Sequence, residues 1–212
     1  MKPLANIPKS TLVYTFLVFI LAAYAAVRIL NLAQAVQKVK STADTTSYVR
    51  ISQEPVFGNK FLAGSRPFIF PLVLKLFGNN PETVAWGQGI LSILSWGLLA
   101  VGVAYSLHIL FLKFAAFGLI LLFSLYRYII GWDSVLLTES LSLSFMALFL
   151  AGWFWLIKEW HWRKVIFILI VGLLWAFARD TNAWVLLMVA LFLLLLLGLR
   201  VIDRKYLALS IA

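Results

Sequence analysis

The chain contains no cysteine. Disulfides, thiolate catalysis and cysteine-held zinc are therefore excluded. Charge is also scarce: 12% of the 212 residues are Asp, Glu, Lys or Arg, against about 25% in soluble domains. Acidic residues are the rarest, with 8 against 18 Lys and Arg, a formal net charge of +10. No Asn-x-Ser/Thr glycosylation signal is present. Glycine-rich phosphate loops, nucleophile elbows and paired-His motifs are missing too. The two histidines, His108 and His161, have no His, Asp or Glu partner at metal-ligand spacing. No metal site is expected.

Apolar residues fill the space left by these absences. Hydrophobic residues make up 63% of the chain, against about 45–50% in ordinary domains. One soluble core of this size cannot hide so much apolar surface. Disorder requires the opposite composition. Lipid is the solvent that fits. The basic excess lies mostly between apolar runs and carries no basic helix or RNA-binding signature. It reads as membrane orientation and contact with anionic lipid, not nucleic-acid binding.

A spanning helix needs about 20 mainly apolar residues to cross about 30 Å of hydrocarbon. By that measure spans are expected at about 10–30, 84–107, 112–131, 139–158, 164–179 and 182–200, with a partial seventh from 206. The expected fold class is all-α: a polytopic transmembrane helical bundle forming one membrane domain, cut off in its seventh span. Ala23-Tyr24-Ala25 has the form of a signal-peptidase site, but the preceding apolar run is long for a signal peptide. The first span therefore reads as an uncleaved anchor.

Between the first two spans lies a polar segment from about Asn31 to Arg66, too long for a simple connector. Phe68 to Phe77 is apolar but too short to span, and reads as an interfacial helix starting after Ser65-Arg66-Pro67. Gly78-Asn79-Asn80-Pro81-Glu82 then breaks the chain and caps the next helix.

The short loops orient the bundle. Lys2, Lys9, Lys113, Lys158, Arg163, Lys164, Arg200, Arg204 and Lys205 fall on one side, against Arg127 and Arg179 in the opposite short loops. The positive-inside rule makes the first side, with the N-terminus, cytoplasmic. Asp44, Arg66, Arg127, Asp133, Glu139, Arg179 and Asp180 then collect on the outer side. A mixed-sign cluster can host acid–base chemistry, whereas a purely basic one mainly orients.

Each of these residues also has a plainer reading. The run 165–178 gives only about 21 Å of helix, so Arg179 and Asp180 lie below the outer interface. Charge at that depth marks function by default, with Arg179 snorkelling and Asp180 capping as the alternative. Glu139 also suits the dipole of the fourth span. Arg127 either snorkels or binds an anionic headgroup. Ser140, Ser144, Ala147 and Ala151 form a small-residue stripe that points to a close helix contact. Trp132, Trp160, Trp162 and Trp184 belong to interface belts.

Four segments, in order, carry a resemblance: Asp44-Thr-Thr-Ser-Tyr48, Ser65-Arg-Pro-Phe-Ile-Phe-Pro71-Leu, Leu136-Leu-Thr-Glu139-Ser-Leu, and Ala178-Arg-Asp-Thr-Asn182. Together they resemble the N-terminal half of GT-C type integral-membrane glycosyltransferases, the group that includes protein mannosyltransferases and lipid A aminoarabinose transferases. The resemblance implies a polyprenyl-phosphate sugar as donor, with no cofactor, and an acceptor glycan, lipid or protein on the non-cytoplasmic face. It implies that Asp44 is the general base. Arg66, Arg127 and Arg179 would stabilise the leaving phosphate. Glu139 and Asp180 would position the acceptor or hold those arginines in place, and Tyr48 would bind substrate. Many relatives carry a second acidic residue beside the first; Thr45 and Thr46 stand there instead, so no metal is expected. The implied home is a bacterial plasma membrane. The alternative reading is a non-catalytic membrane subunit or a lipid or solute transporter. A transporter should hold its charges near the midplane, not at the outer ends.

Overall fold

The structure, a computed structural model, describes residues 9–198. Lys2, Arg200, Arg204, Lys205 and the partial seventh span lie outside the described residues. Among the described residues the fold is all-α. The helices are α1 (Lys9–Val36), α2 (Ala43–Ser52), α3 (Asn59–Leu62), α4 (Ile69–Leu76), α5 (Pro81–Ser106), α6 (Leu110–Ser124), α7 (Arg127–Trp132), α8 (Thr138–Lys158), α9 (Trp162–Ala176) and α10 (Asp180–Gly198). Three of them are long and apolar enough to cross a membrane: Thr11–Val36, Pro81–Ser106 and Thr138–Lys158. The protein has membrane character on that basis.

α5 and α8 form the centre and make the most extensive helix contact. Their approach is close because the small-residue stripe lies between them. Ser140, Ser144, Ala147 and Ala151 are all buried. A Cβ on Gly102 of α5 would meet the Ala151 carbonyl at 3.3 Å and Trp155 Nε1 at 2.9 Å. α1 and α6 pack on α5, while α9 packs on α8 and in turn carries α10. The start of α5 follows from its local sequence. Gly78 and Asn79 take left-handed φ values of 63° and 57°, and the Asn80 side chain accepts from the Glu82 and Thr83 amides with Pro81 in the first turn.

Two helices differ from the sequence reading. α1 does not stop near residue 30 but runs on to Val36, with Leu32 and Val36 buried in the core. Its 28 residues span about 42 Å, the full bilayer including headgroups. The span expected at 112–131 is also divided. α6 ends at Ser124 and α7 begins at Arg127, although no Pro or Gly lies between them. The cause is Arg28. Its Nη1 donates to the Ser124 carbonyl at 2.5 Å, the oxygen that would otherwise accept from the next turn. A cation at a helix C-terminus is also favoured by the dipole.

Arg28 is 1% exposed. Its Nη2 donates to Ser92 Oγ at 2.7 Å and to Asp133 Oδ2 at 2.6 Å. Asp133 Oδ1 accepts from Ser140 Oγ at 2.8 Å. One buried ion pair thus ties together α1, α5, the end of α6 and the start of α8.

Candidate functional site

The α7–α8 connection, residues 133–137, is the strut of the end of the bundle that carries Asp44. It is pinned from three sides. Asp133 is held by Arg28. Lys40 N donates to Ser134 O, and Leu136 N donates to Lys40 O, forming an isolated parallel bridge. Gln88 of α5 donates to the Leu137 carbonyl at 3.2 Å. The strut leads into Thr138 and Glu139, which open α8 with a carboxylate in the first turn.

α2 is anchored to the same strut. Thr42 and Thr45 form a reciprocal cap, and Thr45 Oγ1 donates to the Leu136 carbonyl at 2.9 Å. This buries Thr45 and leaves Asp44, one residue earlier, facing outward with a half-exposed side chain. One turn on, Tyr48 is buried edge-on against Phe70 of α4, ring centroids 5.2 Å apart. On the third side, Asn182 of α10 is buried. It donates to the Trp175 carbonyl and to Ser142 Oγ, both at 2.9 Å. That clamp joins α8, α9 and α10 and places Arg179 and Asp180 beside Glu139.

These three stretches enclose a cavity of about 120 Å³, lined by Asp44, Tyr48, Arg66, Glu139, Arg179 and Asp180 among others. Two ion pairs frame it. Arg66 Nη2 donates to Asp44 Oδ1 at 2.5 Å, and the Arg66 guanidinium also lies over the Tyr48 ring, 5.4 Å from its centroid. Arg179 Nη1 donates to Glu139 Oε1 at 3.2 Å. The second carboxylate oxygen, Glu139 Oε2, is buried and has no hydrogen-bond partner among the described residues. Such an atom is costly to leave unmade and invites a donor. Burial pushes the Tyr48 hydroxyl pKa above its ordinary value; Arg66 and the Thr138 hydroxyl pull it down, and Asp44 and Glu139 push it up. Tyr48 therefore stays protonated at neutral pH.

Six of the seven sequence-derived site residues line this cavity. The exception is Arg127. It begins α7, is exposed, and stacks over Tyr128 with its guanidinium 4.9 Å from the ring centroid. The break after α6 turns it away. Sequence reasoning missed the residues that hold the site together: Arg28, Gln88, Thr45, Thr138 and Asn182. None of these has a local signal in the chain: each is fixed by partners far away in sequence.

The cavity is smaller than the roughly 300–1,000 Å³ of drug-sized ligand pockets. The cations that line the cavity are Arg66 and Arg179. No protein-family model, curated protein or solved structure matches the chain.

Proposed function

We propose that this chain is the membrane-embedded part of a GT-C type glycosyltransferase. It transfers a sugar from a polyprenyl-phosphate donor to an acceptor hydroxyl on a glycan, lipid or protein. The observation that carries this reading is the convergence of Asp44–Arg66 and Glu139–Arg179 on one cavity. These are the segments on which the family resemblance rests.

The chemistry divides among them as follows. The acceptor oxygen attacks the anomeric carbon from the face opposite the phosphate. The bond from that carbon to the phosphate oxygen breaks, and its electron pair leaves with the polyprenyl phosphate. Asp44 takes the acceptor proton on Oδ2, since Oδ1 is engaged by Arg66. Arg179 and Arg66 face the charge that grows on the phosphate. Glu139 Oε2 accepts from a sugar or acceptor hydroxyl, and Tyr48 and Asp180 line the cavity beside it. A lipid-borne donor suits a site on the non-cytoplasmic side, where the N-terminus-in, multi-pass arrangement of a bacterial plasma-membrane protein would place it.

The alternative, a non-catalytic subunit or a transporter, has one feature in its favour: the Arg28–Asp133 pair at membrane depth. That pair is satisfied within the protein by Ser92, Ser124 and Ser140, which favours a structural role for it. The test is transfer of labelled sugar from polyprenyl phosphate in membranes carrying the natural protein. Asp44→Asn should abolish transfer at unchanged expression, while Arg127→Ala should leave it within about two-fold, the scale of a surface substitution. Full transfer by Asp44→Asn would remove the proposed base and with it this mechanism.

A further inference from the structure

At the end of the bundle remote from Asp44, α1, α5 and α6 do not close on one another. Val13, Leu17 and Leu21 of α1, Val101 and Ala104 of α5, and Leu110 and Phe117 of α6 wall a groove of about 300 Å³. Lys113 and Tyr105 line it as well. α1 is the most peripheral long helix, only 11% buried over its apolar window against 56% for α5. α1 thus leaves most of its apolar surface free to face lipid, and it forms one wall of the groove.

The length of the groove is informative. From Tyr14 to Leu21 the wall rises about 10 Å along α1, within one leaflet's share of the ~30 Å hydrocarbon layer. An acyl chain from one leaflet matches that depth, whereas a chain running through both leaflets does not.

The charge is informative too. Lys113 is half-buried and has no ion pair or side-chain hydrogen bond among the described residues. Nearby, Lys158 lies over the Tyr105 ring, 5.9 Å from its centroid. The local acid, Glu159, is already engaged. It accepts from the Tyr105 hydroxyl at 2.7 Å and pairs with Lys164 at 3.7 Å. Its pKa is lowered, first by the Tyr105 hydrogen bond and then by Lys164, so it stays ionised and holds those partners. Lys113 is therefore a cation lining an apolar groove with no carboxylate partner among the described residues.

We infer that this groove binds one phospholipid with an anionic headgroup, its phosphate on Lys113 and an acyl chain between Leu17, Ala104 and Phe117. The site rests on membrane placement alone and is independent of the glycosyltransferase reading.

The test is lipid retention by the purified protein, measured by native mass spectrometry after equilibration with equimolar phosphatidylglycerol and phosphatidylcholine in detergent. The natural protein should retain one phosphatidylglycerol in preference to phosphatidylcholine. Lys113→Gln should reduce that preference about five-fold, the effect of one basic residue at an anionic surface. Leu17→Trp fills the groove from α1, where Leu17 is partly buried, and should abolish retention of either lipid in protein that still folds. Equal retention of both lipids by the natural protein would show ordinary annular contact and overturn the site. So would an unchanged preference in Lys113→Gln, unchanged retention in Leu17→Trp, or no retained lipid at all.

Discussion

Arg28→Met is the sharpest perturbation the structure offers. It removes three contacts at once: to the Ser124 carbonyl, to Ser92 Oγ and to Asp133 Oδ2, at 2.5, 2.7 and 2.6 Å. The Asp133 carboxylate is then left 4% exposed, with only the Ser140 and Ser92 hydroxyls as remaining donors. Breaking one side of a buried ion pair costs about 3–5 kcal/mol, because the other charge stays buried and unpaired. At about 1.4 kcal/mol per decade, the folded-to-unfolded ratio should fall by about two to three and a half orders of magnitude. A single interhelical hydrogen bond in a membrane protein is worth far less, about 0.6 kcal/mol on average and about 1.7 at most. The two explanations are thus separable by size. Mixed-micelle unfolding in sodium dodecyl sulfate, followed by tryptophan fluorescence, provides the measurement. Arg28→Met combined with Asp133→Leu should recover much of the loss, since the orphaned charge is gone, though Ser92 and Ser140 lose partners at about 1–3 kcal/mol if left unsatisfied. A loss below about 1.7 kcal/mol in Arg28→Met, with no coupling to Asp133, would refute the claim that this pair locks the bundle.

Three further outcomes are expected. Asn182→Ala removes the clamp between Trp175 O and Ser142 Oγ; it should cost about 1–3 kcal/mol and weaken transfer by displacing Arg179, while Thr181→Ala beside it changes stability little. Gly89→Ala would drive a methyl to 2.4 Å from buried Leu32 Cδ1; thermal unfolding should show about 1–3 kcal/mol of overpacking, relieved by Leu32→Ala. Because the chain has no cysteine, Lys60→Cys and Arg163→Cys report sidedness cleanly. An impermeant thiol reagent applied to intact cells should label the first and spare the second, and the reverse pattern would invert the topology.

Much of the architecture was legible because its signals are local. The long apolar runs became α5 and α8 almost to the residue, and Asn80-Pro81 capped α5 as its chemistry requires. The stripe from Ser140 to Ala151 faces α5 as small residues at helical spacing should. The misreadings share one origin. The expected first span ends near residue 30, just past Arg28. The partner of Arg28, Asp133, is 105 residues away, and no local pattern announces such a pairing. The division between α6 and α7 escaped for the same reason: the residue that ends α6 belongs to α1.

Arg127 was grouped with the outer charges by its side of the membrane, which chain order can provide. Its departure from the cavity depends on the turn after Ser124, which chain order cannot provide. Sequence alone determined the solvent of this protein, its helical class, the direction of its charge asymmetry and the end at which mixed charge gathers. Each follows from composition and from the length of apolar runs. Tertiary structure decided which charges meet: Arg66 with Asp44, Arg179 with Glu139, Arg28 with Asp133. Ion pairs form across helices over a few ångströms, and only the packing of those helices sets such distances.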